Sequence, residues 1–125
     1  MLRLLLIALG GAIGSVARYG TQMALDRQTI RSGIPIGTLA ANLLGCLLVG
    51  YVHGLLADRI LREEFRFLLV VGFLGGYTTF SSYGWEAFSR MHGGHWLVAG
   101  SYMLISNVAA MVLVMLGYRL SQLHV

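Results

Sequence analysis

The chain of 125 residues is 57% hydrophobic and 11% charged, with one proline and a net charge of +4. Soluble domains carry about a quarter charged residues, so this balance excludes an ordinary soluble domain and points to a membrane protein. Four apolar runs, 4–25, 33–57, 67–89 and 96–118, have the length that a bilayer-crossing helix of about 20 residues needs. The connectors are short, so the expected fold is all-α: a single four-helix transmembrane domain over residues 1–125.

The opening stretch, MLRLLLIALGGAIGS, imitates a signal peptide. Hydrophobicity continues to Leu25 and no polar mature domain follows, so it reads as a first span instead. Arg18 lies about two-thirds along that span. A charge at such depth usually faces a bundle interior or an aqueous vestibule, which would draw anions and disfavour a cation pore. The other reading is that its long stem carries the guanidinium out to the interface near Leu25.

In the second span Thr38 and Asn42 are four residues apart and share a face. At about 100° per residue, His53 falls close to the same stripe. The Asn42 amide must find a partner in hydrocarbon, either as a pore-lining donor or as a hydrogen bond joining two helices. Cys46 is the only cysteine, so no intramolecular disulfide forms. Small residues recur at four-residue spacing: Gly10 and Gly14 in the first span, then Gly37, Ala41 and Gly45, and Gly50 and Gly54 in the second. Such patterns let helix backbones approach closely.

The third span contains GFLGGYTTFSSYGWEAF, residues 72–88, with Thr78 at its arithmetic middle. Gly75 and Gly76 weaken the helix. The hydroxyls of Thr78, Thr79, Ser81 and Ser82 can bond to preceding carbonyls and bend it. A break at mid-membrane is therefore expected, which hydrocarbon tolerates only where the break is buried in protein or lines a cavity. Freed carbonyls suit cations, and freed amides and hydroxyls suit anions. Phe80 and Tyr83 share a face beyond the break, and the positive edges of their rings can line an anion path. Glu86, one turn further, marks a pore mouth or snorkels outward. In the fourth span Ser101, Ser106 and Asn107 do not form one stripe, so a packing role is expected, with Trp96 and Tyr118 as interfacial anchors.

The nine basic residues are all arginine and form no patch for nucleic acid. Four spans put both termini on one side with Arg3, Arg59, Arg62, Arg66 and Arg119, against Arg27, Arg31 and Arg90 on the other. Orientation follows the basic-residue difference between short loops, and five against three is a weak bias. Insertion both ways up is expected, giving an antiparallel pair of identical chains akin to the inverted repeats of many transport proteins.

GGAIGSVARY, GTLAANLLG and GFLGGYTTFSSYGWE together resemble the Fluc (CrcB-type) family of bacterial fluoride channels, over nearly the whole chain. The resemblance implies a dual-topology homodimer in lipid of the bacterial inner membrane. It implies two antiparallel pores that export fluoride passively, around a central structural sodium ion. It assigns Asn42 as a pore-lining donor and Phe80 as an aromatic flanking fluoride, with Ser81 and Thr38 as hydroxyls near the pathway. Gly75 and Thr78 match the broken-helix positions whose backbone carbonyls hold the sodium, and Arg18 matches the family's first-span arginine. Tyr83 stands where the family's second pore aromatic is usually phenylalanine. Ala110 and Val114 stand where its polar track commonly has serine and threonine. Some relatives work as pairs of unlike chains, so the alternative is a half-pore subunit of a heterodimer.

A small dual-topology multidrug exporter needs a membrane-embedded acid. The first span has Arg18 instead, and Glu86 lies near a span end. No glycine-rich P-loop and no nucleophile–base constellation is present, so an enzyme is not expected.

Overall fold

The computed structural model describes residues 1–124, which from Leu2 onward lie in helices or the short connections between them. Helix α1 runs Leu2–Ser32 and ends at Gly33, whose φ of 71° is the left-handed cap that glycine adopts without steric cost. It extends beyond residue 25, so Arg27 and Arg31 sit on a helix and not in a loop. Pro35, with its fixed φ, precedes α2, Ile36–Ala57. The turn between them is closed by the Ile36 amide donating to Thr29 Oγ1 at 3.0 Å.

Helix α2 stops in a Schellman arrangement: the Ile60 amide donates to the Leu55 carbonyl (2.9 Å) and the Arg59 amide to Leu56 (3.2 Å). Arg59 takes the left-handed position there, with φ 57°. Helix α3 covers residues 63–77: a first turn Glu63–Phe65, a π-helical stretch Arg66–Leu74 and a last turn Gly75–Tyr77. Thr78 and Thr79 are extended, with ψ of 155° and 122°. Helix α4, Phe80–His92, follows, then α5, Trp96–Ser121, with a 3₁₀ turn Gln122–His124.

The third hydrophobic segment is thus broken, but not at its glycines. Gly75 and Gly76 remain helical, and the chain opens at the two threonines. Among the described residues three stretches are long and apolar enough to cross a membrane: Leu2–Leu25, Ile36–Ala57 and Trp96–Ser121. The chain is therefore a multi-pass membrane protein, and α3 and α4 are too short to belong to that set singly.

Packing is backbone against backbone. Helix α1 lies on α3 through Gly10, Gly14, Gly72 and Gly76, and α2 lies on α5 through Gly50, Gly54 and Gly117. A Cβ at Gly14 would collide with the Phe73 carbonyl, at Gly50 with that of Val114, and at Gly117 with that of Leu47. Small residues are what permit such approach where water supplies no driving force between helices. The large apolar side chains point the other way: Leu5, Leu9, Ile13 and Val16 of α1 are all exposed on the single chain, as a lipid-facing or protein-facing surface requires.

Two substitutions on α1 test this packing. Nothing lies within 4 Å of a Cβ at Gly20, so Gly20→Ala is expected to hold or raise stability by about 0.5–1 kcal/mol through helix propensity. Gly14→Ala overpacks the α1–α3 contact and is expected to cost about 1–3 kcal/mol. Thermal unfolding of the detergent-solubilised protein reads both, and equal midpoints would contradict the packing.

Candidate functional site: a groove at the helix break

In an unbroken helix the Thr79 amide would donate to the carbonyl four residues back, Gly75. Here it donates to Asn42 Oδ1 at 2.8 Å, while Asn42 Nδ2 donates to the Thr79 carbonyl at 3.0 Å. One carboxamide on α2 therefore satisfies both backbone groups of the residue that leaves the helix. One of the two Nδ2 hydrogens is committed to this pairing.

Each side of the break is capped. At the end of α3 the Leu74 carbonyl accepts from both the amide and the hydroxyl of Thr78, each at 2.9 Å. The Gly76 carbonyl accepts from Arg18 Nε at 3.1 Å. A guanidinium there also suits the negative end of the helix dipole. At the start of α4, Thr79 is the N-cap: its Oγ1 accepts from the Ser82 amide at 3.2 Å.

A groove of about 380 Å³ opens beside the break between α2, α3, α4 and α5. Asn42, Thr79, Phe80, Tyr83, Ser106 and Asn107 supply its polar and aromatic lining, and Gly75, Thr78 and Ala110 border it. The Phe80 and Tyr83 rings are tilted with centroids 5.6 Å apart. Phe80 is 83% exposed on the single chain, Tyr83 only 9%. Asn107 Nδ2 donates to the Tyr83 hydroxyl at 2.9 Å. Ser106 Oγ is buried without a hydrogen-bond partner.

Behind Tyr83 lies a second polar cluster. Gln22 Nε2 donates to Thr38 Oγ1 (3.1 Å), Thr38 Oγ1 to Glu86 Oε1 (2.7 Å), and the Tyr102 hydroxyl to Glu86 Oε2 (2.9 Å). Thr38 and Tyr102 are buried. The Tyr102 ring sits 5.3 Å from that of Tyr83, which joins the two clusters.

The residues singled out from the sequence thus separate into groups. Asn42, Phe80, Tyr83, Gly75 and Thr78 meet at the groove. Thr38 and Glu86 meet behind it, and the Glu86 carboxylate turns into the bundle instead of snorkelling outward. Arg18 lies across α3 on the Gly76 carbonyl. Ser81 is exposed and its hydroxyl is 3.3 Å from Thr79 Oγ1. Ser106 and Asn107 line the groove although no single stripe unites them, because an open groove accepts side chains from neighbouring helical positions. The signal for Asn107 was Tyr83 itself: a buried hydroxyl demands a partner. Among the described residues no cluster of three or more His, Cys, Asp or Glu could hold a metal ion.

Removing the Asn42 carboxamide should be costly. Asn42→Ala leaves the half-buried Thr79 amide and carbonyl unpaired, at up to about 1–3 kcal/mol for each group, and should lower the thermal midpoint in detergent. A wild-type midpoint would show that the break holds without Asn42.

A family profile described as "CrcB-like protein, Camphor Resistance (CrcB)" matches residues 5–118. A relative from Chloroflexus aurantiacus is 43% identical over 123 residues, covering 98% of this chain and 97% of the relative. One from Salinibacter ruber is 42% identical over 117 residues, 94% of this chain and 87% of its own. One from Helicobacter pylori is 37% identical over 116 residues, 92% and 89% respectively. Each of these relatives carries the name fluoride-specific ion channel FluC.

Proposed function

The chain belongs to the CrcB-like family, and from that premise we propose that it is the subunit of a passive, fluoride-selective channel that lets fluoride leave the bacterial cytoplasm across the inner membrane. The names of its relatives supply the ion. The observation that carries the reading is the groove: amide, hydroxyl and aromatic side chains converge at the helix break with no carboxylate among the lining residues. Fluoride is small and strongly hydrated, so entry requires donors that replace its water. Neutral donors do so without the deep trap that a fixed opposite charge would create, and conduction needs binding weak enough to release the ion. A negative-inside potential contributes about 2.3 kcal/mol per charge per 100 mV and drives an anion outward.

In this reading α3 and α4 cross the membrane together as one broken span, the third of four along the chain. Asn42 offers its second N–H to the ion, and the edges of Phe80 and Tyr83 flank it. Thr38 and Glu86 form a polar support behind the aromatic pair. Arg18 adds positive potential near the break, and Ser81 lies at the outer rim. Two copies pack antiparallel and give two pores. The near-balanced arginines support this, as does the exposure of Phe80 on the single chain, 83%, which a partner would reduce.

The break also suits a structural sodium ion. The Gly75 carbonyl has lost the Thr79 amide to Asn42, Thr78 is extended, and both residues border the groove, which supports their backbone oxygens as the ligands. Unwound carbonyls of this kind hold sodium in other membrane proteins. Two from each copy would fix the ion between the protomers and help lock the dimer.

A second reading is favoured by one observation. Ala110 borders the groove and Val114 lines a separate pocket with His53, and neither side chain offers a donor. The chain could then supply part of a pore that an unlike partner completes.

Purified protein in liposomes loaded with fluoride, followed with a fluoride electrode and with chloride as control, tests the proposal. The expected result is fast efflux of fluoride and not chloride, reduced at least about tenfold by Phe80→Leu, which is about 1.4 kcal/mol in the barrier. No efflux from a folded dimer would overturn the homomeric channel. Efflux restored only by co-expressing an unlike family member would establish the half-pore reading.

A further inference from the structure

Tyr83 sets a problem that the groove must solve. Its ring forms part of the wall and is 9% exposed, and a hydroxyl left unpaired in such a place is costly. The bond from Asn107 Nδ2 at 2.9 Å answers this. The same nitrogen donates to the Met103 carbonyl at 2.7 Å, one turn back on α5. A carbonyl can only accept, so the Met103 contact fixes which end of the carboxamide faces Tyr83.

This polarity has a consequence for the phenol. Asn107 gives a hydrogen to the Tyr83 oxygen and therefore occupies a lone pair, leaving the phenolic proton for another acceptor. Among the described residues no carboxylate or carbonyl takes that proton. Ser106 Oγ, adjacent in sequence to Asn107 and lining the same groove, is likewise buried without a partner. The next residue of α5 along the groove, Ala110, has no donor or acceptor on its side chain. An anion in the groove accepts and cannot donate, so it is the species that would take the Tyr83 proton.

Resting on the channel reading above, we propose that Asn107 is a positioning residue: it holds Tyr83 so that the phenolic O–H donates to the anion in the groove, and thereby sets selectivity for a small, strongly accepting ion. Asn107 acts only through Tyr83. Its substitution should therefore reproduce the loss of the phenol and add nothing once the phenol is gone.

A double-substitution cycle with Tyr83→Phe, Asn107→Leu and the pair tests this in reconstituted liposomes. Each single change is expected to slow fluoride efflux about five- to tenfold and to lower the fluoride-to-chloride ratio. The pair is expected to be no slower than the slower single. Dimer elution and thermal midpoint serve as the folding control, and a purely structural Asn107 would move these and not the ratio. If Asn107→Leu does not fold, Asn107→Thr takes its place with the same arms. Losses that multiply in the pair, or an unchanged ratio in the Asn107 variant, overturn the inference while the wild type still conducts. A wild type that does not conduct overturns the channel reading itself, and this inference with it.

Discussion

The backbone of Thr79 has to be satisfied in a setting that offers little water, and the Asn42 carboxamide does this with two hydrogen bonds of 2.8 and 3.0 Å. Much else follows from that pairing. Helix α2 must approach the break closely enough for a short side chain to reach, so Ala41 is fully buried and Gly45 sits against the Thr78 methyl, where a Cβ would collide. Helix α1 must lie equally close to α3 for Arg18 to reach the Gly76 carbonyl, and glycines at the contact permit it. The break is thus a supported structure, capped at the end of α3 and at the start of α4, and no frayed helix.

Charge is distributed so that the groove itself stays neutral. The guanidinium of Arg18 is engaged by a helix C-terminus, where its sign is favourable. The carboxylate of Glu86 is held by Thr38 and Tyr102 behind the Tyr83 ring. What lines the groove is a set of amide, hydroxyl and aromatic side chains, among them Asn42, Thr79, Phe80, Tyr83 and Ser106. Donors of this kind can replace a hydration shell and still release the ion, which is the physical basis for preferring a channel over a binding protein.

Much of this was legible in the sequence because hydrocarbon leaves few options. Composition and run length marked the three long apolar helices, and the four-residue spacing of Gly10, Gly14, Gly50 and Gly54 marked contacts that the structure makes. The clash of threonines and glycines with a mid-membrane helix signalled a break. Its position was not legible: the glycines remain helical because Gly72 and Gly76 pack on α1, and the chain opens instead where Asn42 can pair with Thr79. Glu86 was ambiguous because a residue near a span end can turn either way, and only Thr38 and Tyr102, distant in sequence, decide it. Asn107 was missed for a related reason. Periodicity describes one helix at a time, whereas its partner Tyr83 is on another.

The account stands or falls on passive, selective anion flow. The most direct measurement is the reversal potential of current through the reconstituted protein in a planar bilayer with a fluoride gradient. The account predicts reversal at the fluoride equilibrium potential, unmoved by imposed chloride or proton gradients. Reversal that follows the proton gradient, or no current from a folded dimer, would contradict it.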